Sequence, residues 1–303
     1  MHSGDLTMSE RSVSYWANHI PHHPLRLEGG VRTRGLFEKR SVPGHPLVSV
    51  ITVVRNGERH LEETILSVIN QTYDNVEFLV VDGASEDGTL DIVRKYENRV
   101  AYWISEPDRG VYEAINKGLA LMSGLYWAYL SADDMYAPTT VAAAVSALEQ
   151  NPQYGIVYGD LQMVSEAGKY LAAYRYPRFD ERRFRLNVNP CQHGHVSTFA
   201  RAGVYRALGG FNPSYRYAGD YEYFLRAVKH GIEFLHEPKI VALMRMHRGQ
   251  ISQKYRREHW QEHLSIYQAY FGKPRLNTWS VVDNLRRYAR NSRYYVKRVF
   301  VYR

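Results

Sequence analysis

An α/β fold, a mostly parallel sheet with helices on both faces followed by a C-terminal helical extension, is what this 303-residue sequence predicts. Three observations carry that prediction. Between Leu47 and Glu149, short apolar runs of strand length alternate with segments of helical spacing, the pattern of a parallel sheet. Acidic residues close two of the apolar runs, where ligands bind in such sheets. The last thirty or so residues repeat basic side chains at helical intervals.

The elements follow in order. Leu47–Val54 is a compact β-branched run and reads as a buried first strand. Asn56-Gly57 breaks it, and Leu61, Ile65, Val68 and Ile69 keep helical spacing up to Gln71. Val76–Val81 is a second buried strand that ends at Asp82. Gly83–Gly88 is a polar loop, and a helix runs from Leu90 to near Asn98. Val100–Ser105 is a third strand. Glu106–Gly110 is a loop, and Tyr112–Met122 is helical. Leu125–Leu130 is a fourth strand that runs into Ser131-Ala132-Asp133-Asp134. Pro138–Glu149 is an Ala-rich helix with proline at its entry. The pattern changes near Tyr154. A hairpin is expected over Tyr154–Tyr176, turning at Glu166-Ala167-Gly168. A helix-rich stretch containing Gly219–His230 follows, then an extended run over Ile240–Met246. The organisation expected is a poorly ordered leader over 1–45, one domain in two halves (46–150 and 151–255), and a basic amphipathic helical tail over 256–303.

Composition narrows the class. The chain is 45% hydrophobic and 23% charged, which excludes a collagen-like or wholly disordered polymer. Cys191 is its single cysteine, so an internal disulfide framework is excluded and a reducing compartment is expected. No apolar run reaches the ~18 residues of a membrane span. The net charge is +8. From Lys273 to Arg303 there are nine basic residues against Asp283, so the tail holds the whole excess. Arg286, Arg290, Arg293 and Lys297 form one helical stripe, with Leu285, Tyr288, Tyr295, Val296 and Val299 away from it. Such a helix suits an anionic membrane surface, and equally a solvated face of a helix packed on the body. No zinc-ligand spacing or RNA-binding signature points to nucleic acid.

Several residues have the chemistry of a site. Asp133 and Asp134 are adjacent carboxylates leaving an apolar strand, and they repel unless a cation or an arginine neutralises them. They suit a divalent metal gripping a diphosphate, or a turn before the next helix. Asp82 suits a ligand's N–H or hydroxyl, or an Asx turn. Neither G-x-G-x-x-G nor G-x-x-x-x-G-K-[ST] occurs, which argues against nicotinamide and P-loop enzymes. Asp220 is a general base at a helix mouth or that helix's cap. Glu222 lies two residues on and diverges from it. His193, His195 and His247 are pocket or ligand candidates, or loop and core histidines.

Together these segments resemble the family 2 glycosyltransferases of the GT-A fold, of the type found in O-antigen and exopolysaccharide synthesis. The resemblance rests on Val48–Asn56, Leu66–Tyr73, Val80–Thr89, Ser105–Tyr112 with Asn116-Lys117-Gly118, and Leu130–Asp134, in that order. It spans about Pro46 to His247. It implies inverting transfer from a nucleotide-diphosphate sugar, often a UDP-sugar, with Mg²⁺ or Mn²⁺. By position, Asp82 holds the base, Thr52, Val53 and Arg55 line its pocket, and Asp108 and Arg109 close it. Asp133 and Asp134 match the DxD-type motif, with Asp133 shared between donor and metal. Ser131 stands where many relatives have Asp. Asp220 matches the catalytic base, and Gly219 replaces the Glu that usually precedes it. His247 resembles a downstream metal or diphosphate ligand. His193, His195 and Glu222 are left as acceptor-side candidates. The acceptor implied is a glycan, or one carried on polyprenyl diphosphate, which places the protein in the cytoplasm or at the inner face of the plasma membrane. Three rivals are a sugar-1-phosphate nucleotidyltransferase, which lacks its glycine-rich loop here, an inactive module that binds sugar or nucleotide, and a basic nucleic-acid- or membrane-binding protein whose tail is the active part.

Overall fold

Order begins before the first expected strand. The computed structural model describes residues 23–188, 194–250, 254–274 and 278–301. Leu27–Gly29 form β1, antiparallel to Trp103–Ser105. Two ion pairs anchor this segment. Arg26 Nε meets Glu106 Oε2 at 2.6 Å, and Arg32 pairs with Glu77, whose side chain is fully buried. Burial lowers the Arg32 pKa to about 10. The leader expected over 1–45 is therefore corrected from His23 onward, because buried carboxylates on the sheet give its arginines partners. Residues 1–22 lie outside the described residues.

The apolar runs become the parallel core. β2 (Val48–Val54) is buried along its whole length. β3 (Val76–Asp82) pairs parallel with it, β4 (Tyr102–Ser105) with β3, and β5 (Tyr126–Ser131) with the other side of β2. The spatial order β4-β3-β2-β5 reverses direction between β2 and β5, the switch point where α/β sheets bind ligands. Helices α1 (Leu61–Ile69), α2 (Thr89–Lys95), α3 (Val111–Leu121) and α4 (Thr140–Gln150) connect and cover these strands. Ile51, Leu79, Ile65 and Ile115 are fully buried between them, each worth ~1.5–3 kcal/mol over an exposed position.

The second half extends the same sheet. β6 (Met135–Tyr136) pairs antiparallel with Ala242-Leu243. The expected hairpin is β7 (Ile156–Ser165) and β8 (Tyr170–Tyr174). After α5 (Glu181–Leu186), the short β9 (Thr198–Arg201) lies between β5 and β7, antiparallel to both. Four residues without alternation gave no strand signal. Next come α6 (Ala202–Leu208) and α7 (Gly219–Lys229). β10 (Phe234–Met246) runs parallel to β7 and is longer than expected, with a register shift between His236 and Val241.

Three helices end the described chain: α8 (Arg256–Phe271), α9 (Thr278–Arg290) and α10 (Ser292–Val301). α8 belongs to the body, not to a separate tail. His263, Ile266 and Tyr267 are buried, and Glu262 accepts from the backbone N–H groups of Arg216, Tyr217 and Ala218 at 2.6–2.8 Å. No helix among the described residues is long and apolar enough to cross a membrane.

Candidate active site

Asp82 ends β3, one strand from the switch point, and is 1% exposed. Its Oδ2 accepts from Ser85 N at 2.9 Å and Ser105 Oγ at 2.6 Å, while Oδ1 accepts from Ser85 Oγ. The Asx-type turn is therefore present, and one carboxylate lone pair remains for a ligand. The loops after β2 and β3 hold each other. Asn56 N donates to Ser85 Oγ at 2.7 Å, and Glu86 N donates to Asn56 Oδ1 at 2.9 Å. Asn56 and Ala84 sit at φ 53° and 57°, a conformation that costs roughly 1–2 kcal/mol for a side chain such as alanine. Such strain gathers where backbone shape serves a site.

The other donor-side candidates divide. Asp108 lies against Gly83, so close that a Cβ on Gly83 would meet its Oδ2 at 2.5 Å. Burial raises the Asp108 pKa. Arg55 is exposed beside the same loop, and Val53 is 9% exposed. Arg109 is exposed and paired with Glu113 at 2.6 Å. Thr52 departs from expectation: it is fully buried, and its Oγ1 has no hydrogen-bond partner among the described residues. Mid-strand, it faces core rather than a pocket.

Asp133 and Asp134 follow β5 and face different ways. Asp133 Oδ2 lies 2.9 Å from His247 Nε2. Asp134 is 4% exposed, and its Oδ1 accepts from Arg245 N at 2.9 Å. Burial first, then the charge of Asp133, raises the Asp134 pKa well above the carboxylate range. The arginine expected to balance adjacent acids is Arg245, fully buried behind them. Its guanidinium reaches Asp133 O, Glu166 O and Glu63 Oε2 at 3.1, 2.6 and 2.9 Å. Asp134 thus joins the support beneath the site, and Asp133 joins His247 in it.

Two residues outside the motifs complete that corner. His60, just before α1, has a ring 5.2 Å from that of His247. Its Nε2 is buried without a hydrogen bond among the described residues, 3.9 Å from Glu166 Oε1. Ligand atoms of His60, Glu166 and His247 lie within 4.8 Å of one another. Burial, then the charge of Arg245, lowers the His60 pKa, which leaves a neutral imidazole with a lone pair to offer. An orphaned ring nitrogen beside a second imidazole and carboxylates fits a transition-metal dication better than Mg²⁺, which prefers oxygen.

Asp220 opens α7. Oδ1 accepts from Tyr221 N at 2.8 Å and from the Tyr112 hydroxyl at 3.4 Å, and Oδ2 lies 3.2 Å from His195 Nδ1. A carboxylate only accepts, so Nδ1 carries a proton toward Asp220, and Nε2 lies 3.4 Å from Ser131 Oγ. The His195 ring stacks on Tyr129, with centroids 4.8 Å apart. This chain of contacts ties Asp220 to Ser131 at the end of β5. Burial works to raise the Asp220 pKa. The hydrogen bond and charge of His195, with His263 and His259 behind, outweigh it and hold the carboxyl well below its usual range. Gly219 also has a reason: a Cβ there would lie 2.8 Å from the Tyr112 ring. The aromatic occupies the space into which the usual Glu would extend.

Glu222 is corrected. It is buried, bonded to Arg226 and to the Tyr270 hydroxyl at 2.7 Å, and is structural. His193 lies outside the described residues. His60, Glu166, Tyr112 and Glu262 carried no sequence signal. Arg245 carried one, a charge inside the apolar run Ile240–Met246.

The sheet carries carboxylates at the ends of β3 and β5, Asp220 is linked to β5 through His195 and Ser131, and the fold is of the GT-A type. The model for glycosyl transferase family 2 matches residues 49–207. A glycosyltransferase of Haemophilus influenzae is 30% identical over 230 residues, covering 70% of this chain and 69% of its own. A PGL/p-HBAD biosynthesis glycosyltransferase of Mycobacterium bovis is 30% identical over 185 residues, covering 60% and 69%. The chain spans 65–69% of the length of these relatives and of two from Rickettsia. Among solved structures, the mannosyltransferase PcManGT of Pyrobaculum calidifontis, in complex with GDP-Man and Mn²⁺, superposes with a TM-score of 0.58 at 20% identity, covering 92% of this chain and 75% of that one. S. aureus TarS with UDP-GlcNAc gives 0.59 at 16%, covering 80% and 72%. The chain belongs to glycosyl transferase family 2 and is a glycosyltransferase.

Proposed function

We propose that the chain moves a sugar, with inversion, from a nucleoside-diphosphate sugar to a hydroxyl of a glycan or lipid-linked glycan in surface polysaccharide synthesis. A UDP-sugar is the donor favoured. The observation that carries the reading is Asp220, ionised, partly open and held by His195, Tyr112 and its own helix N-terminus. In the single displacement, the acceptor oxygen bonds to the anomeric carbon as the bond from that carbon to the diphosphate oxygen breaks. The hydroxyl proton passes to Asp220, and the nucleoside diphosphate leaves. A carboxylate with so low a pKa is a weak base toward a resting alcohol. It works as the hydroxyl acidifies in the transition state, worth ~10²–10⁴-fold. The positive end of α7 and the His195 N–H keep the carboxylate charged and aimed.

Asp82, Asp108 and Arg55 would hold the nucleoside side of the donor, with Arg109 at the rim. His247, Asp133, His60 and Glu166 would hold a divalent ion, Mn²⁺ before Mg²⁺ on the character of the donors. That ion, when bound, supplies charge stabilisation to the leaving diphosphate. Neighbours solved with GDP-Man and Mn²⁺ and with UDP-GlcNAc support a nucleotide-sugar donor.

The test is calorimetric titration of UDP, GDP and dTDP, with Mn²⁺ and with EDTA, on wild type, Asp220→Asn and His60→Ala. Asp220→Asn is expected to keep nucleotide binding and lose transfer ~10²–10⁴-fold. His60→Ala is expected to weaken Mn²⁺ binding roughly ten-fold or more. Nucleotide binding by a wild-type protein that never turns over would instead favour an inactive binding module.

A further inference from the structure

α9 is turned inside out. Asp283 and Asn284 face the body, and Val281, Val282, Leu285 and Tyr288 face solvent. Asp283 forms a forked pair with Arg183 at 2.9–3.0 Å, and Asn284 Nδ2 donates to Asn187 Oδ1 at 3.2 Å. At the junction with α10, Asn291 is buried, accepting from Arg175 N at 2.8 Å and donating to Arg175 O at 3.2 Å. Tyr294 continues this inner face against Tyr174, with centroids 4.7 Å apart. The outer face carries Val281, Val282, Leu285 and Tyr288 at 42, 40, 63 and 49% exposure, and Val296 of α10 at 55%. Steps of one, three and three residues put the first four on one stripe. Arg286, Arg290, Arg293 and Lys297 are all exposed, and Arg286 lies one turn on from Val282. The basic stripe expected from sequence is divided between α9 and α10, and of the apolar residues away from it Leu285, Tyr288 and Val296 are exposed.

We propose that this face lies on an anionic lipid surface, with the valines, Leu285 and Tyr288 entering the boundary between headgroups and acyl chains and the basic side chains on the headgroups. Charge decides between a bilayer and a second copy of the chain. The segment from Lys273 to Arg303 carries the whole +8, and its one carboxylate is committed to Arg183. Two copies pairing through this face would bring like charge together. An anionic bilayer takes up both the charge and the apolar side chains, and long basic side chains reach back to headgroups from the edge of such a stripe. This inference is independent of the donor, the metal and the base.

The test is flotation of the full chain with vesicles of phosphatidylcholine, with and without phosphatidylglycerol. Association with the anionic vesicles alone, weakened by salt, is expected. Arg286→Glu with Arg290→Glu should weaken it about thirty-fold or more. Val282→Asp with Leu285→Asp should abolish it, with circular dichroism and melting unchanged in both variants. Failure of the wild-type chain to float, or equal flotation with pure phosphatidylcholine, overturns the proposal. So does a concentration-dependent dimer in sedimentation equilibrium that Leu285→Asp dissolves, which would assign the face to a second copy.

Discussion

The two halves of the sheet deliver their acids by different means. In the first, Asp82 and Asp133 are placed by the backbone. Parallel strands β2, β3 and β5 end at one edge, and each acid is the next residue or nearly so. In the second, Asp220 is placed by side chains brought from far along the sequence. Tyr112 packs on Gly219, His195 holds the carboxylate, and Glu262 of α8 fastens the backbone of Arg216–Ala218. Geometry written in strands tolerates changes at single positions. Geometry written in side chains depends on each partner.

Arg245 is the sharpest exception to the first half of that contrast, and the largest effect is expected there. It is a fully buried guanidinium supplied by β10, and it underlies Asp133, Asp134 and Glu166. Arg245→Met should cost about 2–5 kcal/mol, because it takes the donor from the Asp133 and Glu166 carbonyl oxygens, while the backbone bond from residue 245 to Asp134 remains. Chemical denaturation measures this. A loss below ~1 kcal/mol would mean that the strand ends alone hold the pair and that the contrast between the halves is stronger than drawn.

His195 tests the second half. Asp220 must be ionised to accept a proton. In the wild-type chain its pKa lies well below the usual range, so the acid limb of kcat/KM is not set by it near neutrality. The same pairing stabilises the fold above about pH 4, and that contribution is lost as pH falls through the depressed folded pKa. His195→Asn removes that hydrogen bond and charge, leaving burial, which raises the pKa, opposed chiefly by the weaker pull of His263 and His259. The acid limb should then move upward by about one pH unit or more, while donor nucleotide affinity stays as it was. An unmoved limb would show that α7 and Tyr112 suffice to hold the base.

Legibility followed the same division. The strands from Val48 to Ser131 are continuous apolar runs, so their type, order and terminal acids could be read locally. β9 and β6 are two to four residues long and exist through pairing with β5, β7 and β10, which no local pattern records. Asp133, Asp220 and His247 were singled out through the family resemblance, and the structure brings Asp133 and His247 together. His60 and Glu166 were not, because α1 and the β7–β8 turn meet only in the folded sheet. The basic stripe of the tail was visible, but which face of its helices turns to the body was left open. Sequence shows that a helix has two faces, and the partners Arg183, Asn187 and Arg175 decide which one turns inward.

The smallest effect belongs to Gly219, where two terms of opposite sign compete. Alanine at the start of α7 gains up to ~1 kcal/mol of helix propensity over glycine. Its Cβ would sit 2.8 Å from the Tyr112 ring, and overpacking of that kind costs ~1–3 kcal/mol. Tyr112 is itself buried and stacked on Phe211, with centroids 5.8 Å apart, so it has little room to yield. The steric term should win, leaving Gly219→Ala destabilised by about 1 kcal/mol in a thermal melt. In a Tyr112→Leu background the clash is gone and the propensity remains, so the same substitution should become neutral or stabilising. A double-mutant cycle with a coupling of about 1–2 kcal/mol would tie the glycine to the tyrosine, and no coupling would leave its presence unexplained by packing. If the coupling is found, the missing Glu before the base is the consequence of an aromatic wall contributed by α3. Asp220 then answers to a partner 108 residues away in sequence rather than to its neighbour.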